Sequence, residues 1–312
     1  MFLENLPQGE DALLFDDLHC KVGGLFLYTD FLLELIDVVR DKFSQRLPID
    51  AIYGSPPFKW NAGRLMLDKC PIRKNIEEEF EKLISYGIEP ALTLSNPLLQ
   101  KKDLDDPLGN DLLILLAQYG GTAIVASELL YSYIRREFPT IKLESSIIQT
   151  VWGNPRRDAT FYENLSRRYD FFVVNVDDNF SFDLLDTLDK KKAEILVNER
   201  CYYQCFFRER HYLVTAQEQI SQAEGSFNDQ RFLQNCDAIP EFKQAYSQKR
   251  NISLSMNEYK TLYNMGFHRF KIQGRTSNLY ANIFDVLRFT LEPNVAFTQM
   301  YPIACELLGN KR

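Results

Sequence analysis

The stretch from Asn198 to Tyr212 places two cysteines, three arginines and a histidine directly behind an apolar run, Ala193 to Val197. Cys201 and Cys205 are four positions apart, so both thiolates can reach one metal or cluster without a backbone rearrangement. Cys236 follows at a distance that one helix and its loops can fold back across, and it supplies a third thiol. Three or four thiolates suit an iron-sulfur cluster, while three thiolates with an imidazole suit zinc, with His211 or Cys20 completing the set. Positive Arg200, Arg208 and Arg210 nearby favour the ligating thiolate by lowering the thiol pKa. A helix starting near Gln204 puts Cys205, Arg208 and Tyr212 on one face and turns His211 away from it.

Other thiol and hydrolase chemistry fits less well. A C-x-x-x-C opens the radical-SAM signature, but the next ligand position, after Phe206-Phe207, is Arg208. The chain has three histidines, none in a recognisable Cys/His arrangement, and it contains neither H-E-x-x-H nor G-x-S-x-G.

The elements that must position these residues read as repeated βα units. Apolar, β-rich runs occur at Ile49 to Tyr53, Ile88 to Leu94, Thr122 to Ala126, Ile141 to Ser145, Phe171 to Val176, Ala193 to Val197, Ile252 to Ser255 and Phe267 to Ile272. The run at Ile252 is the weakest. Between them, Ile76, Phe80, Leu83 and Ile84, then Leu112, Leu115 and Leu116, then Leu129, Tyr133 and Ile134 keep helical spacing. Gly87, Gly120-Gly121 and Gly266 stand where a left-handed residue closes a helix before the next strand. Eight such repeats without a Gly/Ser-rich linker predict a single (β/α)₈ barrel domain over residues 1–312, of the α/β class. An extra helix from about Asp30 to Phe43 precedes the first run, and a long insertion from Cys205 to Ile252 follows the sixth. An open doubly wound sheet would carry a phosphate fingerprint after its first strand, and none is present.

Active sites of such barrels gather at the C-terminal ends of the strands. Polar residues just past the runs are Gly54-Ser55, Ser95-Asn96, Ser127-Glu128, Ser145-Ser146, Asn175 with Asp177-Asp178, Asn198-Glu199 and Gln273-Gly274-Arg275. Ser127, Asn96 and Ser255 are also of the type that caps a following helix. Arg64, in a loop after the first run, and Arg275 would bind a carboxylate or phosphate as a guanidinium pair, or else pair with neighbouring acids at the rim. Glu199, Arg208, Arg275 and Arg64 are the candidate catalytic residues.

Composition sets the outer limits. With 312 residues and 45% hydrophobic content the chain can bury a large core, and a dispersed net charge of −7 gives no support to non-specific DNA or anionic-membrane binding. No apolar run reaches membrane-spanning length, and the acidic start Met1-Phe2-Leu3-Glu4-Asn5 lacks the pattern of a signal peptide. A cytoplasmic protein with reduced thiols is expected.

Phe270-Lys271-Ile272-Gln273-Gly274-Arg275, preceded by Gly266 and followed by Ser277 and Tyr280, resembles the collagenase-like peptidase family, in which a Lys-Ile-x-Gly-Arg stretch with a nearby serine is typical. Asn198-Glu199 and the Cys201, Cys205 and Cys236 set extend the resemblance, which covers the C-terminal third. It implies a barrel in which four cysteines commonly hold a [4Fe-4S] cluster, and relatives that hydroxylate the ubiquinone ring or RNA bases without oxygen. The family's cysteines are usually more widely spaced than these, and three equivalents are evident here. The expected function is therefore an iron-sulfur barrel enzyme acting on a small-molecule or RNA substrate, hydroxylase-like rather than peptidase. A zinc-stabilised non-redox enzyme, or a partner subunit of a second barrel protein, are the alternatives.

Overall fold

The computed structural model describes residues 11–63, 73–223, 251–274 and 279–310. Eight parallel strands close into a barrel in chain order: β1 (His19–Gly23), β2 (Ile49–Gly54), β3 (Glu89–Leu94), β4 (Thr122–Val125), β5 (Lys142–Ser145), β6 (Phe171–Val173), β7 (Ala193–Leu196) and β8 (Arg269–Ile272). β1 pairs with β2 on one side and β8 on the other, so the barrel itself has no open edge. The helices are α1 (Thr29–Phe43), α2 (Arg73–Ser85), α3 (Pro107–Tyr119), α4 (Glu128–Glu137), α5 (Ala159–Arg168), α6 (Phe182–Asp186), α7 (Arg208–Ala223), α8 (Met256–Asn264), α9 (Leu279–Thr290) and α10 (Tyr301–Asn310). The architecture is a (β/α)₈ barrel.

Local chemistry sets the helix ends. Asp106 and Ser127 cap α3 and α4 by accepting the backbone N–H groups of Gly109 and Leu130, and Ser255 forms a reciprocal capping box with Glu258 at the start of α8. Gly87, Gly120 and Gly266 take the positive φ expected of them, at 66°, 77° and 95°. Inside α3, Leu112, Leu113, Leu115 and Leu116 are fully buried against the sheet, each contributing roughly 1.5–3 kcal/mol of transfer free energy.

Two elements differ from the sequence expectation. The helix over 29–43 is the ordinary crossover between β1 and β2 rather than an extra one, because His19–Gly23 is itself a strand. That strand carries Lys21 where an apolar residue is usual, so its pattern is masked. Ile252 to Ser255 is not a strand. It is an extended connector whose Ile252 and Leu254 amides donate to the carbonyls of Cys201 and Val197, and it ends in the Ser255 cap. The cysteine segment therefore follows the seventh strand, not the sixth.

The barrel interior holds charge as well as aliphatic side chains. Lys21, Glu144, Glu194 and Lys271, from β1, β5, β7 and β8, are all buried and face one another. Both lysines donate to Glu144, and they lie 3.3 and 3.4 Å from Glu194.

Candidate active site

At the C-terminal end of the strands the barrel encloses a cavity of about 80 Å³. Its walls come from the expected strand exits: Tyr53, Ser55, Ser95, Ser146 and Gln273 line it together with Thr93, Val173, Leu196 and Lys271. Most of the exit hydroxyls are already committed. Ser146 caps the short 3₁₀ turn Ile147–Thr150 by accepting the Ile148 N–H at 3.3 Å, and Ser145 donates to Gln149 at 2.8 Å. Ser55 is different. Its Oγ is buried and, among the described residues, has no hydrogen-bond partner.

The roof is α7. Tyr212 lines the cavity, and Tyr212 and Ala216 pack with Ala62 and Ile148 in one buried cluster over the barrel mouth. Asn96, past β3, fixes the helix there: its Nδ2 donates to the Ala216 carbonyl at 3.1 Å and to the Lys59 carbonyl at 2.7 Å. Its Oδ1 accepts from the Leu98 N–H, so Asn96 is a tether between loops rather than a helix cap. Glu209 adds a second tether by accepting the Gly153 N–H at 2.8 Å. The described part of the insertion, α7, thus lies over the cavity.

α7 begins at Arg208 rather than near Gln204, because Gln204 has φ 52°, a left-handed turn that no helix continues through. The Gln204 N–H donates instead to Asp177, which also takes both arms of Arg208, at 2.5 and 3.0 Å. Arg208 further donates to the Tyr202 carbonyl at 2.8 Å. Burial alone would lower its pKa, but the hydrogen bonds and charge of Asp177 raise it, so the guanidinium stays charged. Arg208 is thus a buried clamp joining the exits of β6 and β7.

Asn198 performs the same service between β7 and β8. It accepts the Gln273 N–H at 2.6 Å, and its Nδ2 donates to the Gln273 carbonyl and to Asp285 of α9. Burial raises the Asp285 pKa, against the opposing effect of Asn198 and Arg200. Glu199, next in line, is buried and lies 3.4 Å from the Gln273 amide, which lines the cavity.

Cys201 and Cys205 are both buried, and their thiols are hydrogen-bonded to each other. They share an apolar cluster with Val173, Val176, Leu196 and Ile252, and Val173 and Leu196 also wall the cavity. The Cys205 hydrogen bond, followed by burial and the charge of Glu199, raises the Cys201 pKa; Arg208 pulls it down by less. Arg208 thus acts on Cys201 in the expected direction, but the Cys205 hydrogen bond, burial and Glu199 outweigh it. Cys20 lies at the start of β1, at the other end of the barrel, and cannot join this pair. Arg64, Arg275 and Cys236 lie outside the described residues. Among the described residues no group of three or more His, Cys, Asp or Glu side chains is placed to hold a metal.

No protein-family model matches the chain, and no curated protein matches it in sequence. Among solved structures it is similar to the U32 peptidase Mk0906, with a TM-score of 0.53, over 89% of this chain and 99% of that chain, at 12% identity. The barrel is shared with a U32 peptidase. At that identity the likeness concerns fold alone. Citrate synthase SbnG aligns over 87% of this chain and 92% of its own, at 10% identity and a TM-score of 0.31, too distant to bear on function. No helix among the described residues is long and apolar enough to cross a membrane.

Proposed function

We propose that this chain is a barrel enzyme that holds a small ligand in the cavity beneath α7, with an iron-sulfur cluster on Cys201, Cys205 and Cys236 beside it. The observation that carries the ligand site is Ser55: a buried hydroxyl at the cavity wall without a partner among the described residues is costly to keep, and a bound polar group would satisfy it. Gln273 lines the same cavity, where it can orient a substrate, and the buried Glu199 carboxylate stands behind its amide. The cavity lies at the end of the barrel where such folds carry their chemistry.

Support for the cluster is the convergence of the two thiols in an apolar surrounding, where burial tunes reduction potential. Bound there, a cluster would supply electron transfer or a Lewis-acidic iron. The resemblance to the collagenase-like family extends the reading to oxygen-independent hydroxylation, or a related modification, of a small aromatic or RNA substrate. The test is anaerobic purification with iron, sulfide and zinc analysis of the wild type and of Cys201→Ser and Cys205→Ser. Iron and sulfide present in the wild type and lost in both variants support the cluster. Colourless protein after anaerobic reconstitution overturns it, and stoichiometric zinc in its place assigns the thiols to a structural site.

A second reading, a partner subunit of another barrel protein, draws on Phe206. Its ring is 64% exposed beside Cys205 and sits 4.0 Å from that of Phe207. Stable co-purification of a second protein, released by Phe206→Ser, would favour it.

A further inference from the structure

The opposite end of the barrel holds a second and larger cavity, about 260 Å³, lined by His19, Lys21, Asp50, Glu89, Lys142, Glu194 and Arg269 among others. It is separated from the cavity under α7 by the Lys21, Glu144, Glu194 and Lys271 quartet. Its acids are already matched. Glu89 accepts from Lys142 and Thr122, Asp50 lies 2.5 Å from His19, and Glu194 is shared by Lys21 and Lys271.

Arg269 is the cation left over. Its guanidinium stacks on the Phe171 ring at 3.9 Å, and among the described residues no carboxylate lies within ion-pair distance of it. Its Nε is buried and has no hydrogen-bond partner among the described residues. Stacking uses the faces of the guanidinium plane and leaves its N–H edges to point within that plane, the geometry that binds a carboxylate through two parallel hydrogen bonds.

We propose that this lower cavity is a binding site for a small monocarboxylate, held by the Arg269 fork. A single negative charge suits the site, since Asp50, Glu89 and Glu194 line the same space and repel a dianion such as phosphate more strongly. The site is independent of Cys201 and Cys205 and of the upper cavity.

The test uses trifluoroacetate as the probe, followed by its ¹⁹F line width at constant pH and chloride, with uncharged trifluoroacetamide as the control. Saturable broadening of trifluoroacetate and none of trifluoroacetamide is the expected result. Arg269→Gln should abolish it. Arg269→Lys, which keeps the charge and loses the fork, should weaken it by about tenfold or more. A matching thermal-unfolding midpoint for each variant shows that the fold is intact, and if Arg269→Gln does not fold, Arg269→Lys decides. No saturable binding to the wild type, equal response to trifluoroacetamide, or unchanged affinity in the Arg269 variants overturns the proposal.

Discussion

Glu144 on β5 accepts a hydrogen bond from Lys21 on β1, the strand diametrically opposite in the ring of eight, so one ion pair spans the whole barrel interior. Lys271 donates to the same carboxylate from β8. Removing the negative centre leaves two buried ammonium groups sharing Glu194. Glu144→Gln should therefore cost about 3–5 kcal/mol in denaturant unfolding. Replacing all four charged residues with apolar ones of similar volume should recover most of that loss, because desolvation offsets much of what a buried pair gains. A fourfold variant as unstable as Glu144→Gln would sink this account.

The same network fixes an acid limb. Burial disfavours the ionised form of Glu144, but the charges and hydrogen bonds of Lys21 and Lys271 overcome this and hold its pKa down at about 2, against an ordinary 4.5. A depressed carboxylate contributes stability above its unfolded pKa and loses it as pH falls toward the folded one. The contribution, roughly 3 kcal/mol at neutral pH by linkage, should fade between about pH 5 and pH 2. Unfolding free energies measured across that range should fall less steeply in Glu144→Gln than in the wild type.

Arg208 gives a prediction that separates a clamp from a catalytic group. Arg208→Ala leaves Asp177 buried without its charge partner and should destabilise the fold by about 3–5 kcal/mol. Adding Asp177→Ala should restore part of the loss, a coupling that a double-mutant cycle reads directly. Additive losses would mean that the two side chains act separately.

How much of this was legible in sequence follows from which side of the sheet each residue serves. Ile52, Leu92, Ala123, Leu143 and Phe172 face the helices, so their apolar runs announced their strands. β1 was hidden because Lys21 points inward to a charge network built from β5, β7 and β8, partners that no local pattern reveals. Ile252 to Ser255 imitated a strand because its alternate residues pack beneath the β7 exit while its backbone pairs with a loop. Of the residues named by the strand-end rule, Ser55 and Gln273 line the cavity, and Asn198 and Glu199 stand against Gln273. The rule could not tell that Ser146 is spent on a cap while Ser55 is left over, since that depends on which backbone amides happen to lie within reach.

Ser55 therefore carries the last prediction, and its sign is unusual. A buried hydroxyl that makes no hydrogen bond to the described residues costs desolvation without return, so removing it should not weaken the fold. Ser55→Ala should unfold at the same denaturant concentration as the wild type or be more stable by up to about 1 kcal/mol. If the hydroxyl meets a ligand, the same variant should bind that ligand, or turn it over, about tenfold less well, the loss expected from one hydrogen bond of about 1.4 kcal/mol. Stability and function then move in opposite directions at one residue. A Ser55→Ala protein that is destabilised by 2 kcal/mol or so would instead mean that Ser55 has a structural partner, and the cavity would lose its strongest mark as a binding site.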